Sequence, residues 1–217
     1  MIQEIVKRSK PLPPKSKLII FGGGFSGQRI ASVGRHLGVK VLCSRRKEGS
    51  KGADFIFNTE QELSNEILKG ATHVLSCIPP LQSGEDPVLL KLKSQLLNSK
   101  KIKWVGYLST TGVYGDSKGN WVNENTSPNP QQDRSIRRLS CEKQWLDTNL
   151  PIQILRLPGI YGPGRSAFES LLNGTTKMID KPGQVFSRIH VDDIAGAVYF
   201  LMNLYSQGKN PSVVNVA

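Results

Sequence analysis

The stretch KLIIFGGGFSGQRI, residues 17–30, constrains the fold more than any other part of the chain. Residues 17–22 form a short apolar run that stops at glycine, with the length and composition of a buried strand. Residues 26–38 carry helical spacing and end on another glycine. Between the two lies Gly22-x-Gly24-x-x-Gly27. A strand that turns through this spacing straight into a helix is built to receive a pyrophosphate. Gly22 permits the tight turn, Gly24 lets the backbone come close to the anion, and Gly27 lets helix and strand pack together. Phe25 and Ser26 stand at the helix N-terminus, where free N–H groups and a partial positive charge favour phosphate. A dinucleotide site is expected here.

The rest of the chain alternates strand and helix. Strands are expected over 39–44, 53–58, 72–78, 102–110 and 152–157. Helices are expected over 60–70, 86–98 and 131–148, with Pro87 suited to a first turn. This alternation predicts an α/β fold, a doubly wound parallel sheet of the Rossmann type. The near-continuous apolar strands fit a sheet covered on both faces. Three segments are expected: a basic, proline-rich, loosely held arm at 1–16, a dinucleotide-binding domain at 17–160, and a partial substrate-binding region at 161–217, interleaved with the last strands. Ligands of such sheets bind beyond the carboxyl ends of the strands. The loops after residues 21, 44, 58, 78, 110 and 157 are therefore the candidates. The same rule places Cys77, Ile78, Pro79 and Pro158 beside the cofactor.

Cofactor choice turns on the end of the second strand. A site for NAD usually carries Asp or Glu there, to accept a ribose hydroxyl. This chain has Ser44, Arg45, Arg46 and Lys47. A guanidinium binds phosphate bidentately and is always charged, which suits a 2′-phosphate. NADP(H) is expected over NAD(H).

Charge raises a second class of partner. The chain has 29 Lys and Arg against 17 Asp and Glu, a net charge of +12. Nucleic acid is one reading of that excess. The basic residues are scattered, and no aromatic RNA-binding signature accompanies them, so a solvated surface is favoured. No apolar run of about 18 residues exists, so no membrane span is expected. Cys43, Cys77 and Cys141 are odd in number and lack metal-ligand spacing, which points to a reducing cytoplasm and no metal.

Four stretches carry a family resemblance: FGGGFSG at the first turn, YLSTTGVYGD at 107–116, LRLPGIYGPGR at 155–165 and RIHVDDIAGAV at 188–198. In order and spacing the chain resembles extended and atypical short-chain dehydrogenase/reductases, the NAD-dependent epimerase/dehydratases and nucleoside-diphosphate-sugar epimerases. The resemblance implies a dinucleotide fold, a sugar-nucleotide-like or other anionic substrate, and a homodimer. It implies more chain after the final VVNVA, so the substrate-binding portion is expected to be short or cut. It also implies that Asn58, at the end of the third strand, lies near the adenine.

The family's catalytic pair is Tyr-x-x-x-Lys, with Glu four residues after the Lys. Glu142 sets that register here, and Tyr and Lys are then replaced by Arg134 and Arg138. Arg138 can still donate to a ribose or phosphate. Arg134 cannot exchange a proton near neutral pH, because a guanidinium does not titrate there. Helical spacing puts both on one face, which is expected to look toward the cofactor loop and an anionic ligand. Thr110 matches the family's Ser/Thr position. Tyr161 is a weaker substitute acid, and Asp192 is expected to cap the last helix. Three outcomes stay open: an enzyme that moves a hydride at an oxygenated carbon, a cofactor-binding sensor or scaffold without chemistry, or a basic nucleic-acid-binding protein on the same fold.

Overall fold

The computed structural model describes residues 2–64, 66–176, 183 and 185–217. The strands are β1 (Lys17–Phe21), β2 (Lys40–Arg45), β3 (Phe55–Ile56), β4 (His73–Ser76), β5 (Trp104–Thr110), β6 (Ile152–Leu157), β7 (Gly159–Tyr161), β8 (Arg188–His190) and β9 (Val213–Asn215). The helices are α1 (Ile2–Arg8), α2 (Phe25–His36), α3 (Pro87–Asn98), α4 (Asp133–Leu146), α5 (Ala167–Leu172) and α6 (Val191–Tyr205), with a 3₁₀ turn at Thr111–Tyr114. Among the described residues no helix is long and apolar enough to cross a membrane.

Seven strands form one sheet in the order β3-β2-β1-β4-β5-β6-β9. Every pairing in it is parallel. Side chains alternate across each strand, so each face needs its own cover. Leu18 and Ile20 of β1 join a core with Ile30 of α2 and Ile194 and Val198 of α6. Ile19 and Phe21 join a second core with Val88 and Leu92 of α3 and Trp145 of α4. The sheet is doubly wound, as its apolar runs predict. Its order reverses between β1 and β4, and a crevice opens at such a point.

Several expectations are corrected. Within the segment 1–16, Ile2–Arg8 is helical, and Ile2, Ile5 and Val6 pack on the first core with buried Leu12 behind them. Apolar spacing in that short stretch outweighs its charge and prolines, so it is no loose arm. The helix expected at 60–70 does not appear among the described residues there: residues 60–61 bend, 62–64 are irregular and 66–70 form turns. The third strand shrinks from 53–58 to Phe55–Ile56. The cap of α6 is His190, whose ring accepts from the Asp192 N–H, and Asp192 instead pairs with Arg29 of α2. That guanidinium holds the Asp192 carboxyl below its ordinary range. Of the segment expected to bind substrate, residues 177–182 and 184 lie outside the described residues. Much of the remainder is framework, since α6 packs on α2 and β9 is a strand of the main sheet.

One buried polar network fixes α4 to the sheet. Glu142 of α4 is 1% exposed and Arg156 of β6 is 5% exposed. The Arg156 Nε and Nη2 both donate to the Glu142 carboxylate, at 3.1 and 2.7 Å. Nη1 donates to the Tyr114 hydroxyl at 2.9 Å, and Tyr114 donates on to Asn215 Oδ1 of β9 at 2.8 Å. Ser109 of β5 donates to Glu142 Oε1. Breaking such a pair strands a charge without water. Glu142→Gln is expected to lower stability by roughly 3–5 kcal/mol. Glu142→Leu combined with Arg156→Met is expected to cost less, because neither charge is then left alone. Urea denaturation of the three proteins decides it, and equal midpoints for the single variant and wild type would sink the assignment.

A second prediction concerns acid. His73 of β4 is 4% exposed, beside Trp104. Burial, and then the charge of Lys103, lower its pKa from 6.5 to about 4. Unfolding frees the ring to take a proton at its ordinary pKa. The stability that depends on a neutral His73 is present above about pH 6.5 and is lost as the pH falls toward about 4, by roughly 3 kcal/mol. His73→Gln is expected to flatten that slope. Identical slopes in the variant and wild type would refute it.

Candidate active site

The turn after β1 is held by its neighbours. Gly22 has φ +97, which a side chain rarely adopts, and a Cβ there would stand 2.9 Å from Ile78 Cγ1. Its N–H donates to Ser44 Oγ at 2.9 Å, and the Gly23 N–H donates to the Ser44 carbonyl at 2.6 Å. A Cβ on Gly27 would strike the Gly22 carbonyl oxygen at 2.2 Å, so helix and strand meet there without room for a methyl. Gly24 differs: nothing lies within 4 Å of where its Cβ would be. It also caps α2, with no side chain on the free N–H groups and no acid in the first turn. The loop is packed on its protein side and open on the other, the arrangement a phosphate needs.

That open side borders a cavity of about 570 Å³ at the carboxyl ends of the strands, where the sheet order reverses. The structure gathers most of the expected cofactor residues on its walls. Gly22, Gly24, Phe25, Ser26 and Gly27 form the floor of the loop. Ser44, Arg45, Arg46 and Asn58 line one end. Cys77, Ile78 and Pro79 line the middle, and Arg138 lines the far wall with Leu108 and Ser109. Buried Ser44 acts through the loop by the hydrogen bond to Gly22. The amide of Asn58 is already engaged: Oδ1 accepts from the Glu60 and Gln61 N–H groups, and Nδ2 donates to Gln61 Oε1 and to the Arg46 carbonyl. Burial pushes the Cys77 thiol well above its ordinary range and Cys43 up to about 11, so neither is a ready nucleophile.

Four expected residues stand outside the cavity lining. Pro158 separates Leu157 and Ile160, which do line it. Thr110 turns its hydroxyl into the chain, where Oγ1 accepts from the Gly112 N–H at 3.1 Å. Tyr161 is half-exposed on β7, and its ring meets His190 edge-on at 5.1 Å. Arg134 lies exposed in the first turn of α4 and donates to Gln132 Oε1. It shares a helical stripe with Arg138 but stands one turn farther out. The two-arginine face therefore reduces to Arg138 alone.

Arg138 is half-buried over the Tyr107 ring, 5.5 Å from its centroid. Its Nη1 donates to the Ile78 and Leu108 carbonyls, at 3.3 and 3.2 Å, and to the Tyr107 hydroxyl at 3.1 Å. It thus ties α4 to the carboxyl ends of β4 and β5. Ser109 and Arg165 are among the cavity residues that the sequence reading does not anticipate. Ser109 lines the wall one residue before Thr110 and is oriented by Glu142. Arg165, on the turn after β7, lies over the Phe25 ring at 5.5 Å and lines the same cavity. The signal for it was its place in the loops beyond residue 157. Among the described lining residues, Glu60 is the one carboxylate, and no histidine or tyrosine occurs.

Comparison with known proteins agrees with this geometry. The model of the NAD dependent epimerase/dehydratase family matches residues 89–217. A functionally unknown conserved protein from Silicibacter pomeroyi DSS is 38% identical, with a TM-score of 0.81 over 92% of this chain and 71% of that one. A putative NAD-dependent epimerase/dehydratase from Methylobacillus flagellatus is 24% identical, with a TM-score of 0.69 over 92% of this chain and 74% of that one. UDP-glucuronic acid 4-epimerase from Bacillus cereus, in complex with UDP-glucuronic acid and NAD, is 20% identical, with a TM-score of 0.73 over 93% of this chain and 77% of that one, a likeness of fold. No curated protein matches the sequence. The family match spans more than half of the chain, and the chain belongs to the NAD dependent epimerase/dehydratase family.

Proposed function

We propose that this protein binds NADP(H) and acts on a small, anionic, oxygenated substrate of the sugar-nucleotide kind, with arginine in place of the family's tyrosine and lysine. The observation that carries the reading is the pairing of empty space over Gly24 with Arg45 and Arg46 at one end of the same cavity. The open N-terminus of α2 would hold the pyrophosphate. Arg45 and Arg46 would hold the 2′-phosphate, where an NAD site carries an acid. When bound, the cofactor supplies a hydride acceptor or donor. The chain's own residues at the inner end orient and bind: Ser109 offers its oxygen, and Arg138 offers a fixed positive charge. No described group there is suited to hand over a proton near neutral pH, so proton exchange falls to the substrate or solvent. That same feature favours the second reading, a cofactor-binding sensor without turnover.

Calorimetric titration tests both levels. NADP⁺ is expected to bind at micromolar strength, and NAD⁺ more weakly. Arg45→Ala with Arg46→Ala is expected to weaken NADP⁺ by roughly tenfold, since two solvent-screened charge contacts contribute together about 1.4 kcal/mol. NAD⁺ affinity should hardly move. Equal losses for both cofactors would remove the 2′-phosphate role, and no binding of either would remove the cofactor reading. Turnover of a sugar nucleotide in the loaded protein separates enzyme from sensor.

A further inference from the structure

Two arginines in this chain are built alike and finished differently. Arg156 lies over a tyrosine ring, at 4.8 Å, and gives Nη1 to that tyrosine's hydroxyl. Its other edge, Nε with Nη2, grips the Glu142 carboxylate side-on. Arg138 also lies over a tyrosine ring and gives Nη1 to that tyrosine's hydroxyl. Its Nε–Nη2 edge has no acceptor among the described residues. No carboxylate of the described residues lies within ion-pair distance of it. Asp86 feels its charge without pairing with it: Oδ1 accepts from the Val88 and Leu89 N–H groups at the cap of α3, and Oδ2 is buried without a partner among the described residues.

A half-buried guanidinium with a free side-on edge is an incomplete ion pair. The two parallel donors of that edge match the two oxygens of a carboxylate. Its Nη1 contacts hold the plane fixed, so little order remains to be imposed on binding. Arg165 adds a second positive charge to the same cavity.

We infer that the inner end of the cavity receives a ligand carboxylate on the Nε–Nη2 edge of Arg138, with Arg165 as a supporting charge, so that the substrate is a carboxylic acid such as a sugar acid. This rests on the reading of the cavity as a ligand site and adds the chemistry of the group held there. Arg138 on this view binds and orients the substrate. The position that the family gives to a lysine becomes a carboxylate receptor.

The test is the ¹H–¹⁵N spectrum of arginine Nε–H groups in the full chain, with and without NADP⁺. The Arg138 signal is assigned by its loss in Arg138→Lys, and Arg156 serves as the fixed internal reference. Glucuronate is expected to move the Arg138 signal saturably, glucose to leave it in place, and inorganic phosphate to act at least tenfold more weakly. Arg165→Ala should weaken the glucuronate effect severalfold. The titration of the wild-type chain stands even if Arg138→Lys folds poorly. An Arg138 signal unmoved by glucuronate, malate and oxalate overturns the inference. So does an equal response to phosphate, or blockade of the glucuronate shift by NADP⁺, which would assign the edge to the cofactor. Calorimetry on the same sample keeps the two proposals apart: failure of NADP⁺ to bind, with the glucuronate shift intact, ends only the cofactor reading.

Discussion

The pair between Glu142 and Arg156 is the interaction on which the rest of the site depends. It joins α4 to β6, reaches β5 through Ser109, and reaches β9 through Tyr114 and Asn215. An ion pair removed from water must be close to fully satisfied, or its desolvation outweighs its attraction. Here both carboxylate oxygens and both edges of the guanidinium are used. That completeness leaves α4 one place to sit. Arg138, one turn before Glu142, is thereby delivered to the ends of β4 and β5. A positional decision at a buried residue becomes a chemical decision at the cavity wall.

The charge carried into that wall is of a particular kind. A lysine would present a mobile ammonium and a pKa that burial can shift. An arginine keeps its charge and gains a plane. Once Nη1 is anchored on two carbonyls and a hydroxyl, the remaining edge has a direction as well as a sign. Such a group stabilises an anion, and it cannot act as a base. With Arg134 in solvent and Thr110 engaged with Gly112, the inner end is equipped for holding and poorly equipped for proton transfer.

Much of this was legible in the sequence, for reasons that differ from residue to residue. The β1 strand and its glycine turn could be read because steric rules leave few alternatives: Gly22 has positive φ, and Gly27 has no room for a Cβ. Arg45 and Arg46 could be placed because the end of β2 faces the cavity in any such sheet. Arg134 was misplaced because helical periodicity gives an angle around an axis and says nothing of depth along it. Arg134 lies exposed in the first turn of α4, one turn before Arg138, and outside the cavity lining. The 60–70 segment has helical spacing but its described residues settle into bends and turns, and the apolar pattern of Ile2–Arg8 is too short to be read against the charge and the prolines that follow it. Arg165 was hidden because its partner, Phe25, is 140 residues away in the chain.

The cavity's two ends differ in how they hold charge, and the difference bears on selectivity. Arg45 and Arg46 stand where a ligand phosphate can remain partly hydrated, so their contribution is modest and falls with salt. Arg138 is half-buried and anchored, so a carboxylate that reaches it exchanges water for fixed donors in a setting of lower dielectric. A neutral group of the same shape would leave that edge unpaired, and unpaired buried donors penalise the wrong ligand more than paired ones reward the right one. On this reading the outer end separates the two cofactors by a modest margin, and discrimination between substrates falls on the inner end.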